Sequence, residues 1–363
     1  MKIQRDFPSG LTTDQEELVL ERLIFSCTFL KGLAREQRGL VAELSDAEDE
    51  DIFDLTLIRL ADDARAERPG APLEVVSNLS GSWSAGASRF GADYAPSPAL
   101  LGALNSTLRA MAIDAGASER TYSPLVSVED LQRSNYLSRF AHNVLLVGAI
   151  PHDLKQLEAW RANSDVEAVW RFQDMALRTA LCFSAYIEHA DEIVGERLLL
   201  TTSGTCFRHE APWRLSPTRL TAFEMREIIF VGAPEWVEAQ RQTWLQATWQ
   251  LFCTLGLEGH IVSATDPFYY AEDRQISRYQ QLTRAKYELV ARADGGEVAI
   301  ASFNNVREGL ARSYGLQSPS DSGIHSGCAA FGLDRWAFVL TERYGADCER
   351  WPTEILSTLG MER

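Results

Sequence analysis

The sequence has no apolar run near the length of about twenty residues that a helical bilayer span requires. Its longest such stretches, Asn143–Pro151 and the run around Leu198–Leu200, are far shorter. Met1–Gly10 carries charges and no apolar signal core, so neither secretion nor a membrane location is expected. No CxxC pair occurs: Cys27, Cys182, Cys206, Cys253, Cys328 and Cys348 are scattered, which excludes a sequence-readable zinc knuckle and points to reduced thiols in a cytoplasmic protein. The six histidines form no HxH or HxxxH pair, so no metal is assigned to them. Positive charge is scarce, with 35 basic against 51 acidic residues and a net charge of −16. That balance disfavours non-specific attraction to nucleic acid, although one basic patch can override it. No internal repeat is present. What is there is globular: 45% hydrophobic and 24% charged residues over 363 positions, room for one large domain with an appendage.

Thr12 to about Arg68 reads as helical, with Leu18, Leu20, Leu23, Ile24, Phe29, Leu30 and Leu33 near helical spacing and Thr13 or Asp14 placed to cap. The acidic run Ser45–Asp54 interrupts it as a solvated loop or helix start. Arg68-Pro69-Gly70-Ala71-Pro72 is a boundary, because prolines around a glycine stop a helix. The chain therefore divides into an acidic helical extension, 1–70, and a large domain, 71–363. A Gly/Ser/Ala-rich stretch, Ser77–Asp93, precedes a helix over Pro98–Ala115 that ends at Gly116. Further helices are expected at Val128–Arg133, Ser164–His189 and Pro234–Leu255. Strands are expected at Glu196–Phe207, Ala222–Val231, His260–Ser263, Tyr287–Arg292 and Glu297–Asn304. Long helices and runs of strands without regular βαβ alternation indicate an α+β fold on an antiparallel sheet.

Two segments carry chemistry. Cys206-Phe207-Arg208-His209-Glu210 ends one strand, and Phe223-Glu224-Met225-Arg226-Glu227 begins the returning one. This pair resembles motif 2 of the class II aminoacyl-tRNA synthetases. The arginine of such a motif suits an α-phosphate, since a guanidinium stays charged and forms paired hydrogen bonds to phosphate oxygens. Taken alone, Arg-x-Glu on a strand is an exposed salt-bridge pair. Further on, Gly327-Cys328-Ala329-Ala330-Phe331-Gly332-Leu333-Asp334-Arg335-Trp336 resembles motif 3, where small residues begin a helix close to the nucleotide. The resemblance gives Arg208 the α-phosphate, Arg335 the γ-phosphate and Glu210 the adenine end or its magnesium. Arg214, Arg219 and Phe223 complete the implied ATP site. Motif 1 falls on Pro98–Ala115 and the segment ending at Pro124, and implies a homodimer.

The wording between the motifs is similar to one branch, the amino acid:[carrier protein] ligases, seryl-tRNA-synthetase relatives without the tRNA-binding arm. Ala264-Thr265-Asp266-Pro267-Phe268, Lys286-Tyr287-Glu288-Leu289 and Ser326–Leu333 carry this likeness, which runs from about Ser80 to the C-terminus. It implies zinc on Cys182, Glu227 and Cys328, with a fourth position open for the substrate's amine. Each cysteine taken singly reads as a small buried hydrophobe. The likeness also places Asp266, Lys286, Ser302 and Asn304 around the amino acid. Arg274, Arg278 and Arg284 would dock an acidic carrier helix, while exposed helix charge is the ordinary reading of such a pattern.

The implied activity is ATP-dependent formation of an aminoacyl-adenylate from glycine, alanine or serine, followed by transfer to the phosphopantetheine thiol of a carrier protein. The alternatives are aminoacylation of tRNA or of a small-molecule amine, and a non-catalytic regulatory paralogue. The sequence departs from the branch in a tryptophan-bearing motif 2 loop and in Ser302–Glu308, which lacks the aromatic-histidine pair expected after its first asparagine.

Overall fold

A computed structural model describes residues 1–36, 39–67, 72–80, 94–163, 170–266, 276, 280, 283–294, 296–319 and 323–361. The chain forms two compact units.

The first comprises Met1–Pro72, Ala211–Leu215 and Thr265–Thr283. Strands β1 (Lys2–Asp6), β2 (Leu30–Glu36) and β3 (Gly39–Leu44) form an antiparallel sheet in the order β1-β3-β2. Helices α1 (Thr13–Ser26) and α2 (Glu50–Ala66) pack with it. The expected unbroken helical character fails over residues 30–44. Leu40, Ala42 and Leu44 are buried at alternate positions, a period of two that fits only a strand. Leu30 and Leu33 are three residues apart, a helical spacing that fits the strand only through the bulge between Leu30 and Gly32, which is why the spacing misleads. Thr12 caps α1 in a capping box with Gln15. The acidic run ends as the first turn of α2, where carboxylates are favoured by the helix field. Trp213 packs against this unit's core beside Phe7 and Leu33.

The second unit holds an eight-stranded sheet of order β4-β11-β12-β13-β14-β10-β9-β5. Its strands are β4 (Glu74–Ser77), β5 (Ser118–Arg120), β9 (Arg197–Phe207), β10 (Ala222–Gly232), β11 (Gly259–Ser263), β12 (Lys286–Ala293), β13 (Gly296–Arg307) and β14 (His325–Gly332). Every pairing is antiparallel except β5 with β9. The fold is thus α+β, as expected. A smaller sheet pairs β6 (Leu125–Ser127) and β7 (Leu146–Ala149) with β8 (Arg171–Leu177). Here the expected helix over Ser164–His189 is replaced by β8 and a short helix, Cys182–Glu188. Met175 and Ala176 pair across to β6, so sheet pairing outweighs local helix propensity.

Alternation along the strands divides the large sheet into two faces. Ile228, Phe230, Tyr287, Leu289, Phe303, Ala329 and Phe331 meet the helices α3 (Pro98–Asp114), Pro234–Thr254 and Leu333–Tyr344 in the main core. The interleaved residues, among them Met225, Glu227, Ser302, Cys328 and Ala330, are left for the opposite face. α3 ends as expected, with Gly116 at φ +89°. The small residues from Gly327 to Gly332 were expected to begin a helix. They form strand β14 instead, and the helix starts at Leu333. Gly327 cannot carry a side chain there, since a Cβ would lie 2.3 Å from the Asn304 carbonyl. No helix of the described residues is long and apolar enough to cross a membrane.

Candidate active site

The polar face of the large sheet is a ruled surface whose rows follow from strand register. Glu288, Ser302, Ala330 and Glu227 lie directly across β12, β13, β14 and β10 from one another. The next row holds Lys286, Asn304, Cys328 and Ile229, and on the other side Gly332 lies opposite Met225. Cys328, Ala330 and Gly332 therefore point the same way along β14, leaving a floor without bulky side chains between a cysteine and the helix that carries Arg335. Small residues let a ligand approach the backbone closely.

One end of this floor gathers three arginines among carboxylates. Arg208, Arg219 and Arg335 line a single pocket with Glu210, Phe223, Glu224, Glu288 and Asp334. Arg208 follows β9, its backbone N–H donates to the Thr221 carbonyl at 2.9 Å, and its guanidinium lies 5.2 Å from the centre of the Phe223 ring. Its Nε is buried without a hydrogen-bond partner among the described residues. Arg219 donates to both carboxylate oxygens of Glu210 at 3.1 Å. Arg335, in the first turn of its helix, donates from Nε to the Thr218 carbonyl at 2.7 Å and from Nη1 to the Ala299 carbonyl at 2.9 Å. Burial, then repulsion from Arg208 and Arg219, pushes Arg335 down to about 10. An anion placed among these groups would relieve both penalties. Asp334 accepts the Glu224 backbone N–H at 2.5 Å, and burial raises its carboxyl above the usual range.

The other end is a buried triad. Ligand atoms of Cys182, Glu227 and Cys328 lie within 4.8 Å of one another. Glu227 is only 2% exposed, and its two oxygens accept the backbone N–H groups of Leu181 and Cys182 at 3.0 and 3.1 Å. The hydrogen bond to Cys328 and then burial push the Cys182 thiol well up, while burial outweighs the backbone donors and raises Glu227. Two thiols and a carboxylate within reach of one another suit a zinc-like cation, whose charge would reverse both shifts. Beside the triad, Asn304 Nδ2 donates to Cys328 Sγ at 3.5 Å and to Ser302 Oγ at 3.1 Å, and Lys286 Nζ meets Glu288 at 2.9 Å.

Thus the register brings Arg208, Glu210, Arg219, Phe223, Lys286, Ser302 and Arg335 to one pocket and the Cys182, Glu227 and Cys328 side chains to one cluster. The pocket lining comes wholly from the second unit, whereas Arg214 and Asp266 belong to the first. Asp266 is engaged there by Gln280 through two hydrogen bonds, 3.0 and 2.9 Å. Arg274 and Arg278 lie outside the described residues. Arg284 is exposed, with φ +49°. Sequence reasoning passed over Glu224, Glu288 and Asp334. The signal for Glu288 was available, since it lies two residues from Lys286 and so shares its face.

No family model matches the chain. Amino acid–[acyl-carrier-protein] ligase 1 of Bradyrhizobium diazoefficiens is 27% identical over 257 residues, covering 69% of this chain and 78% of that protein. A type-2 serine–tRNA ligase of Methanopyrus kandleri is 25% identical over 269 residues, 67% of this chain and 51% of that protein. The crystal structure of M. kandleri seryl-tRNA synthetase in complex with Aquifex aeolicus tRNASec superposes with a TM-score of 0.63 at 19% identity, covering 99% of this chain and 77% of that one. By sequence the chain is a homologue of the amino acid–[acyl-carrier-protein] ligases, and by structure it has the class II fold of the seryl-tRNA synthetases.

Proposed function

We propose that this chain is an ATP-dependent, AMP-forming amino acid ligase that activates glycine, alanine or serine and passes it to the phosphopantetheine thiol of a carrier protein. The observation that carries the reading is the sharing of one sheet face by a buried Cys–Glu–Cys triad and an arginine cluster, with only small β14 residues between them. That surface accepts an elongated ligand, amine-bearing at one end and polyanionic at the other.

Cys182, Glu227 and Cys328 would hold zinc, which supplies a Lewis-acidic position for the substrate's amine. Asn304, through Cys328, and Ser302 flank the amino acid, and Lys286 and Glu288 close that wall. The substrate carboxylate attacks the α-phosphorus of Mg-ATP, the bond to the bridging β-oxygen breaks, and pyrophosphate leaves. No general base is required, because the nucleophile is already a carboxylate. Arg208 neutralises charge on the α-phosphate, and Arg335 and Arg219 hold the outer phosphates. Glu210, with other carboxylates of the pocket, serves magnesium or the adenine end. A pantetheine thiolate then attacks the mixed anhydride carbonyl and AMP departs. Arg284 serves in docking the carrier, Arg274 and Arg278 are proposed for the same role from the sequence alone, and the working particle is a homodimer.

The test is ATP–pyrophosphate exchange with each of the three amino acids, followed by transfer of radiolabelled amino acid. Label on a holo carrier protein and not on its apo form supports the reading. Label on tRNA, or equal behaviour of apo and holo carriers, overturns it in favour of a synthetase. The net charge of −16 works against the tRNA outcome.

A further inference from the structure

Behind the amino-acid wall, on the opposite face of the sheet, a buried arginine pairs with a half-exposed glutamate that the proposed chemistry does not use. Arg241, on the helix Pro234–Thr254, is 4% exposed and is gripped by both carboxylate oxygens of Glu238. Its guanidinium stacks 4.7 Å from the centre of the Tyr287 ring, and its Nη1 donates to the carbonyl of Arg284 at 2.6 Å. Glu238 also accepts from Asn305 Nδ2 at 2.9 Å, and Asn305 Oδ1 in turn accepts the backbone N–H of Arg307 at 3.0 Å. Burial raises the Glu238 carboxyl, but its three side-chain donors outweigh that and hold it below the usual range.

The two backbone positions reached by this network are unusual. Arg284 and Arg307 have φ of +49° and +53°, where a residue with a Cβ is strained. Arg284 stands two residues before β12, and Arg307 ends β13 where the register with β14 slips. Asn305 N donates to the Ala285 carbonyl at 2.8 Å, closing the same end of the β12–β13 pair. Lys286 and Asn304 are the next residues inward, and they face the other way, into the wall beside Cys328. Strained backbone persists only where surrounding contacts over-determine it.

We infer that Glu238 and Arg241 are positioning residues for the substrate amino acid, clamping the open end of the β12–β13 pair so that Lys286 and Asn304 are held at the site. The inference rests on the reading of that wall as the amino acid's. Lysine cannot replace Arg241, because a point charge cannot hold a carboxylate with two donors while also reaching a carbonyl.

The test uses the full-length protein and the variants Arg241→Lys, Glu238→Gln and the charge swap Glu238→Arg with Arg241→Glu. Arg241→Lys is expected to raise the KM for the amino acid by about tenfold or more, with the KM for ATP changed by less than about twofold. It should also speed amide hydrogen exchange in peptides covering 284–307, with those covering β9 and β10 unchanged. Glu238→Gln, which keeps an acceptor for Asn305, should show the same pattern more weakly. The charge swap should not recover, since a glutamate at 241 cannot donate to the Arg284 carbonyl. Recovery by the swap, equal rises in both KM values, or unchanged exchange over 284–307 would reduce the pair to ordinary helix stabilisation and overturn the inference. A wild-type protein that activates no amino acid would refute the ligase reading, while the amide exchange would still decide whether the clamp exists.

Discussion

Arg335 and Thr218 are joined across two motifs: the Arg335 Nε, in the first turn of its helix, donates to the Thr218 carbonyl in the loop that returns to β10. Arg208 has no such anchor at its own Nε. The two arginines therefore face the same pocket with different structural obligations.

Arg208→Ala and Arg335→Ala should each reduce pyrophosphate exchange by about 10²-fold or more, as expected for donors aimed at developing charge. Only Arg335→Ala should also destabilise the fold, by about 1–3 kcal/mol, because it leaves the Thr218 and Ala299 carbonyls without their donors. Exchange assays paired with urea denaturation separate the two. Near-normal exchange in either variant removes that residue from its proposed role.

Metal analysis is expected to find about one zinc per chain, the stoichiometry of a single three-ligand site. Cys182→Ser, Cys328→Ser and Glu227→Gln should each lose metal and amino-acid activation together. Under excess cobalt, which forces occupancy of a weakened site, each cysteine variant, left with one thiolate, should show weaker sulfur-to-metal absorption than Glu227→Gln, which keeps both. Full activity in metal-free protein would refute the metal role of the triad.

Asp334 provides a pH prediction. Its folded-state carboxyl is raised by burial, so the ionised form costs stability above the folded value, and that cost is gone once the pH falls below the unfolded one. Asp334→Asn keeps an acceptor for the Glu224 N–H and removes the charge. The variant should be the more stable protein near neutral pH, with the difference shrinking in acid. Urea midpoints at about pH 7 and about pH 4, the latter near the ordinary aspartate value, check it. A variant less stable than wild type at neutral pH would show that Asp334 is needed as an anion beside the arginines.

The legibility of this chain in its sequence was uneven for identifiable reasons. β12 was readable because it alternates along its length and β13 because it alternates over its second half, β9 and β10 because each carries an apolar and β-branched run, and the α3 stop was readable because Gly116 supplies the left-handed conformation. β2 and β3 were not, since the spacing of Leu30 and Leu33 is helical and fits the strand only through a bulge. β8 depends on pairing with β6 and β7, which no local window contains. The grouping of Cys182, Glu227 and Cys328 came only from resemblance to a known family, because three distant residues on a helix start and two strands share no local pattern. The placing of Asp266 near the amino acid also came from resemblance, and the hydrogen bond that its carboxylate accepts from Gln280 has no local sequence signal. The Glu238–Arg241 pair was invisible because its partners, Arg284, Tyr287 and Asn305, lie far along the chain.

The bare floor of β14 also bears on how such a pocket can be altered. Ala330 and Gly332 offer no functional groups, and under the proposed function the triad and arginines are committed to the amine and the phosphates. The freedom to choose among amino acids is left to β12 and β13, which are consecutive strands and so a single short stretch of coding sequence. Exchange of that cassette alone, by recombination or in the laboratory, would carry a new substrate preference onto an unchanged activating apparatus.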